Sequence, residues 1–179
     1  MTPLVIAVDP ATVTGIAWTS PDGREVASYS KRLVPEKELR KLDLRFFDPR
    51  PVQLRRALLK IVEDYLLYAD GDWRPLKIMV AFEDVQFAKS LAQVQLWGTL
   101  RGAIWTAFDE VHPAQACFHF VSCPTGTLKK FATGAGDADK KHMALAAQRV
   151  WPSYKFADDN EVDARLLWHW ATSTYPTKS

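Results

Sequence analysis

The chain has 179 residues, 47% hydrophobic and 25% charged, a composition that excludes a disordered or fibrous protein and fits one folded domain spanning 1–179. Lys+Arg 23 against Asp+Glu 21 leaves a formal charge of +2, so net charge alone points to no polyanionic partner. Cys117 and Cys123 are too few for a zinc cluster or a disulfide framework, no apolar run approaches a membrane span, and the opening MTPLVIAV lacks a basic leader, so a cytoplasmic protein is expected.

In chain order, PLVIAVD (3–9) predicts a buried strand, because valine and isoleucine favour the pleat and no helical period appears. TGIAWTSPDGREVASYSKRL predicts two more strands around an SPDG turn, with Gly15 as the point where the second strand can begin close to the exit of the first. VPEKELRKLDLRFFDPRP reads as an excursion from the core with one short helix. A stripe of Leu54, Leu58, Ile61, Val62, Tyr65 and Leu66 predicts a helix over 52–68, followed by the strand LKIMVAFEDV. A helix is predicted over 90–109, a strand at CFHFVSC, a glycine-rich turn in TGTLKKFATGAGDADKK, and helices over 140–149 and from about 159 to the end. The order implies a mixed α/β sandwich with parallel crossover units.

Charge is unevenly spread. Lys31, Arg32, Lys37, Arg40, Lys41, Arg45, Arg50, Arg55, Arg56 and Lys60 face only Glu36, Glu38, Asp43 and Asp48 over the same stretch. A second knot, Lys129, Lys130, Lys140 and Lys141, brackets Gly134 and Gly136. Local excess of this kind focuses a field toward phosphate, although a solvated face gives the same composition.

Three apolar contexts contain an acid: Asp9 at the end of VIAVD, Glu83 in IMVAFEDV, and Asp163 in NEVDARLLWHW. Taken singly, each has an ordinary reading as a turn, strand-end or first-turn residue. Taken together at strand ends and a helix start, they suit divalent-cation chemistry, because several close carboxylates repel one another unless a positive ion lies between them.

Four blocks carry a resemblance in the same order: AVDPATVTGIAW, FEDVQFAKSLAQVQLWGTLRGAI, SCPTGTLKKFATGAGDADKKHM and DDNEVDARLLWHWA. Through them the chain resembles the RuvC-type Holliday-junction resolvases of the RNase H-like superfamily, in the divergent style of phage members. The resemblance implies an α/β fold, an RNase H-like mixed five-stranded sheet with helices on both faces; the basic excursion at about 31–50 departs from it, being longer than the family's short hairpin connection. It implies Asp9, Glu83 and Asp163 as metal carboxylates. The remaining ligand falls at Asn160, where the family has Asp or His; Asp159, at i−4 from Asp163, competes for that role and is favoured for its charge. Glu161 points elsewhere around the helix.

The same resemblance implies two Mg²⁺ ions per site, for which Mn²⁺ can substitute, and Lys140 as the charge-neutralising catalytic lysine. Lys129, Lys130, Lys140 and Lys141 become DNA-backbone contacts, with Phe87 and Lys89 at a junction-entering loop. It further implies a homodimer through the helix at about 90–108, with Leu91, Val94, Gln95, Gly98 and Gly102 in the contact, and a host cytoplasmic location if phage-encoded. The expected activity is Mg²⁺-dependent resolution of four-way DNA junctions. The alternatives are a catalytically weakened junction-binding protein, or a nuclease of the same fold acting on flap, fork or RNA-containing substrates.

Overall fold

Strands buried on both faces set the architecture, their side chains alternating between two cores. Strand β1 (Leu4–Asp9) sends Leu4, Ile6 and Val8 to one face of the sheet and Val5 and Ala7 to the other. β2 (Val13–Thr19) and β3 (Val26–Arg32) continue as antiparallel neighbours, whereas β4 (Leu76–Asp84) and β5 (Ala116–Pro124) add in parallel on the opposite side. The strand order is β3-β2-β1-β4-β5, so the expected RNase H-like mixed five-stranded sheet is present. The computed structural model describes residues 3–44, 46–68, 76–84, 90–109, 111 and 116–176.

Helices cover both faces. The short α1 (Glu36–Leu39) lies in the 33–49 segment, as the sequence suggested. On the face shared by Ile6, Val80 and Phe82 lie α2 (Arg50–Tyr68) and α3 (Leu91–Trp105), which bury Leu54, Leu58, Tyr65, Leu100 and Ile104. On the face of Val5, Ala7, Met79 and Ala81 lie α4 (Thr125–Thr133), α5 (Lys140–Val150) and α6 (Asp159–Thr174), contributing Leu128, Met143, Ala147, Leu166 and Leu167. Burying each such aliphatic side chain contributes roughly 1.5–3 kcal/mol. Among the described residues no helix is long and apolar enough to cross a membrane.

One element is added and one is shortened. Residues 125–133, to which the sequence assigned no element, form a helix; the expected glycine-rich turn follows it at Gly134, which closes α4 with φ 85° in the left-handed region. The helix predicted to reach 109 ends at Trp105. The Ala107 amide bonds back three residues to the Ile104 carbonyl, which tightens the final turn, while Ala107 and Phe108 stay buried and carry the apolar pattern past the helix end.

Candidate active site

The pleat that builds the core also builds the site. Continuing the alternation Val5, Ala7 and Met79, Ala81 by one step turns Asp9 and Glu83 toward the face covered by α6. The parallel pairing of Val8 with Phe82 brings the two acids to the same edge of the sheet. Both are buried, at 9% and 8% exposure, although neither has a basic partner among the ion pairs of the described residues.

Helix α6 supplies the rest. Asp158 caps it, its carboxylate accepting from the amides of Asn160 at 3.0 Å and Glu161 at 3.1 Å. The first turn then crosses β2 directly over Gly15, which pairs with Asp9 on one side and Ser30 on the other. A Cβ on Gly15 would stand 1.9 Å from the Asn160 carbonyl oxygen and 3.0 Å from Ala164 Cβ. Gly15 lies inside β2, past its start at Val13, so it is required for helix approach and not for the start of the strand.

Asp9, Glu83, Asp159, Asn160 and Asp163 all line one cleft of about 760 Å³. Its other wall carries Lys129 from α4 and Lys140 from α5, with Gly126 and Gly136 at their feet. Lys140 Nζ donates to Asp159 Oδ2 at 2.7 Å, and both side chains are exposed. An exposed pair of this kind is worth little in stability, so Lys140 is readily exchanged to another anion.

The electrostatics are those of charges without a counter-ion. Burial, followed by the charges of Glu83 and Asp163, holds the Asp9 carboxyl well above the usual carboxylate range. Asp163 is pushed up to about 7 by burial and by the charges of Glu83 and Asp159, with Lys140 and Lys129 pulling the other way. This hard-oxygen, mutually repelling donor set fits a divalent cation in its chemistry. As placed, however, no group of three or more His, Cys, Asp or Glu among the described residues is gathered into a metal cage.

Lys130 and Lys141 are exposed and do not line the cleft. Phe87 and Lys89 lie outside the described residues. Glu161 faces away from the cleft, its carboxylate accepting from Ser28 Oγ, Tyr154 OH and the Ala157 amide. The sequence reading missed Asp158, whose position just before the helical stripe was the available sign of a cap. It also missed Thr125 and Gly126 in the lining, because it saw no helix at 125–133.

No family model matches the chain, and no curated protein matches it in sequence. Solved structures do match. A Thermus thermophilus RuvC structure is 17% identical, with a TM-score of 0.57, over 97% of this chain and 97% of that one. T. thermophilus RuvC in complex with Holliday junction substrate is 18% identical, with a TM-score of 0.58, over 93% and 90%. The yeast mitochondrial Holliday junction resolvase Ydc2 is 11% identical, with a TM-score of 0.50, over 96% and 80%. The chain thus has the fold of RuvC-type resolvases over nearly its whole length.

Proposed function

We propose that this protein is a divalent-metal-dependent endonuclease that resolves four-way DNA junctions. The observation that carries the reading is the convergence of Asp9, Glu83 and Asp163 from three separate chain segments into a cleft walled by Lys129 and Lys140. The fold shared with junction resolvases supports it.

Asp9, Glu83 and Asp163 would hold Mg²⁺, two ions being expected and Mn²⁺ an acceptable substitute, with Asp159 or Asn160 completing the set. When bound, such ions supply Lewis-acid stabilisation of a phosphoryl oxygen and a nucleophilic water at neutral pH. Lys140 leaves Asp159 for a non-bridging oxygen of the scissile phosphate and neutralises charge that grows as the bond breaks. Lys129 holds an adjacent phosphate in register across the cleft, and Lys130 and Lys141 extend that basic margin along the backbone. Hydrolysis leaves a 5′-phosphate and a 3′-hydroxyl. Two such sites related by a two-fold through α3 cut opposed strands symmetrically.

Cleavage of a mobile four-way junction is compared with that of flap, fork and linear duplex, in Mg²⁺ and in EDTA. Junction cutting that requires Mg²⁺ and is lost in Asp9→Asn supports the reading. Asn160 in place of an acid favours one other reading, a junction-binding protein with weakened catalysis. Tight binding without cleavage in either Mg²⁺ or Mn²⁺ would establish that alternative. Asp159→Ala and Asn160→Ala, compared by calorimetric Mg²⁺ titration, decide the fourth ligand: the larger loss of affinity is expected for Asp159→Ala.

A further inference from the structure

The cleft carries more acid than base. Among the described residues lining it, the carboxyl groups of Asp9, Glu83, Asp159 and Asp163 face only Lys129 and Lys140, so the lining by itself gives a phosphate backbone little attraction. Cations outside it have to supply that attraction, and one group of them stands on the same edge of the sheet. Because β2 runs antiparallel to both β1 and β3, the strand that ends in Asp9 and the strand that ends in Arg32 finish on the same side. Two residues before Arg32 and on the same face of β3, the Ser30 side chain bonds to the Asp158 carboxylate that caps α6. The chain beyond β3 is tied to the loop that leaves Asp9: the Leu33 amide donates to the Thr12 carbonyl at 3.1 Å, and Arg50 Nη1 donates to Thr12 Oγ1 at 3.4 Å. Ala11 of that loop lines the cleft.

Lys31, Arg32 and Lys41 line a groove of about 590 Å³ at this edge, with Glu38 the one acid among the described residues around it. All three cations are exposed, and none makes an ion pair among the described residues. Nearby arginines differ: Arg40 is paired to Glu36 and Arg50 to Asp48. Unneutralised cations on long side chains along an open groove complement a row of phosphates, which is read without access to any base. A fully paired junction offers such rows along each of its arms.

We propose that Lys31, Arg32 and Lys41 form a second phosphate-binding surface, which holds the backbone of a paired junction arm as it leaves the cleft. The inference rests on reading the cleft as a junction-cleaving site and adds a division of labour: the cleft performs the hydrolysis, and this groove supplies affinity that needs no metal.

The test is fluorescence anisotropy on a fully paired four-way junction in EDTA, over a salt series. Lys31→Ala/Arg32→Ala/Lys41→Ala should weaken binding by roughly 10- to 100-fold and lower the salt slope by about two to three. Lys31→Arg/Arg32→Lys/Lys41→Arg keeps the charge and should bind within about twofold of wild type. Lys41→Glu lies in the turn after α1, clear of the sheet, and should move both readouts in the same direction even if the triple variant fails to fold. A junction with neutral methylphosphonates along its arms, away from the branch point, locates the contact: it should lose affinity for the wild type and none for the alanine variant. Unchanged affinity and salt slope in the alanine and Lys41→Glu variants, or an equal methylphosphonate loss in wild type and alanine variant, overturns the proposal. So does wild-type binding that requires a divalent ion. Failure of the wild-type protein to bind the junction in EDTA and in Ca²⁺ alike defeats the functional reading itself; wild-type binding with unaffected variants defeats only the role of this groove.

Discussion

Gly15 decides whether the acids meet. The Asn160 carbonyl lies where its Cβ would be, at 1.9 Å, so relief has to come from backbone moving away from backbone. Gly15→Ala is expected to lift the first turn of α6 off β2, at a cost of about 3 kcal/mol or more in urea denaturation, and to abolish metal-dependent cleavage even where the fold survives. Asp163 illustrates the opposite balance, a buried charge that opposes stability. Its carboxyl, pushed up to about 7, sits beside Glu83 and Asp159. A raised carboxyl costs nothing below the unfolded value near 3.8, costs progressively more as pH rises toward 7, and reaches its full penalty above that. Asp163→Asn should therefore raise stability in EDTA at pH 8 by roughly 1–3 kcal/mol, read as a higher melting temperature, with little gain at pH 4, while destroying cleavage. Asp9, Glu83 and Asp163 were legible from the sequence as acids in apolar surroundings. The purpose of Gly15 was not, because its reason lies in a helix far along the chain, and a glycine in a strand announces close approach without naming what approaches.

At the scale of elements, α6 is fixed on its far side by a buried polar network. Glu161 and Arg165 are 3% and 4% exposed. Ser28 Oγ and Tyr154 OH each donate to Glu161 Oε1 at 2.6 Å, and the Ala157 amide donates to Oε2 at 2.7 Å. Arg165 donates through Nε to Ser28 Oγ at 2.6 Å and through Nη2 to the Val26 carbonyl at 2.7 Å, and its guanidinium lies 3.4 Å from the Tyr154 ring centroid. The network ties α6 to β3 and to the 151–157 segment, so it sets the angle at which Asp159 and Asp163 enter the cleft. Burial opposes the Glu161 charge, but hydrogen bonds from Ala157, Ser28 and Tyr154, with Arg165 nearby, outweigh it and hold the carboxyl below its usual range. A depressed carboxyl stabilises fully above the unfolded value near 4.5 and loses that contribution as pH falls through the folded value. Glu161→Ala is expected to cost roughly 3 kcal/mol at pH 7 and to flatten the acid limb of stability below about pH 4.5, read by thermal melts across pH. The long elements were legible because their apolar periods were long. Helix α4 was not: it buries only Leu128, so no stripe existed to find, and its threonines and glycine resembled turn residues.

At the scale of the molecule, α3 presents an exposed apolar side. Leu91 is 72% exposed, Val94 52% and Trp105 50%, and a Cβ at Gly98 or Gly102 would meet nothing within 4 Å. These positions recur along one side of the helix, while the opposite side is anchored by buried Leu100, Ala103 and Ile104. Arg101 is held by neighbours of its own chain, 4.9 Å over the Trp97 ring, 5.4 Å over Trp105 and 3.2 Å from Asp84 Oδ1. The helix is thereby stiffened next to the strand end that carries Glu83, with small residues at its middle where a second backbone can approach. In the expected homodimer this face would meet its own two-fold copy, and stable interfaces bury on the order of 1,600 Å² in total. Leu91→Glu/Val94→Glu places two like charges per protomer on that face, so the dimer Kd should rise on the order of 100-fold in analytical ultracentrifugation, with the thermal unfolding of the monomer unaltered. The consequence for cleavage separates coupling from chemistry. On a supercoiled plasmid with an extruded cruciform, the wild-type dimer should produce linear product by paired cuts within one binding event. The variant, with its cleft intact, should accumulate nicked circles at protein concentrations below the new Kd and recover linear product above it. Linear product at all concentrations from a proven monomer would show that symmetric cutting does not depend on α3.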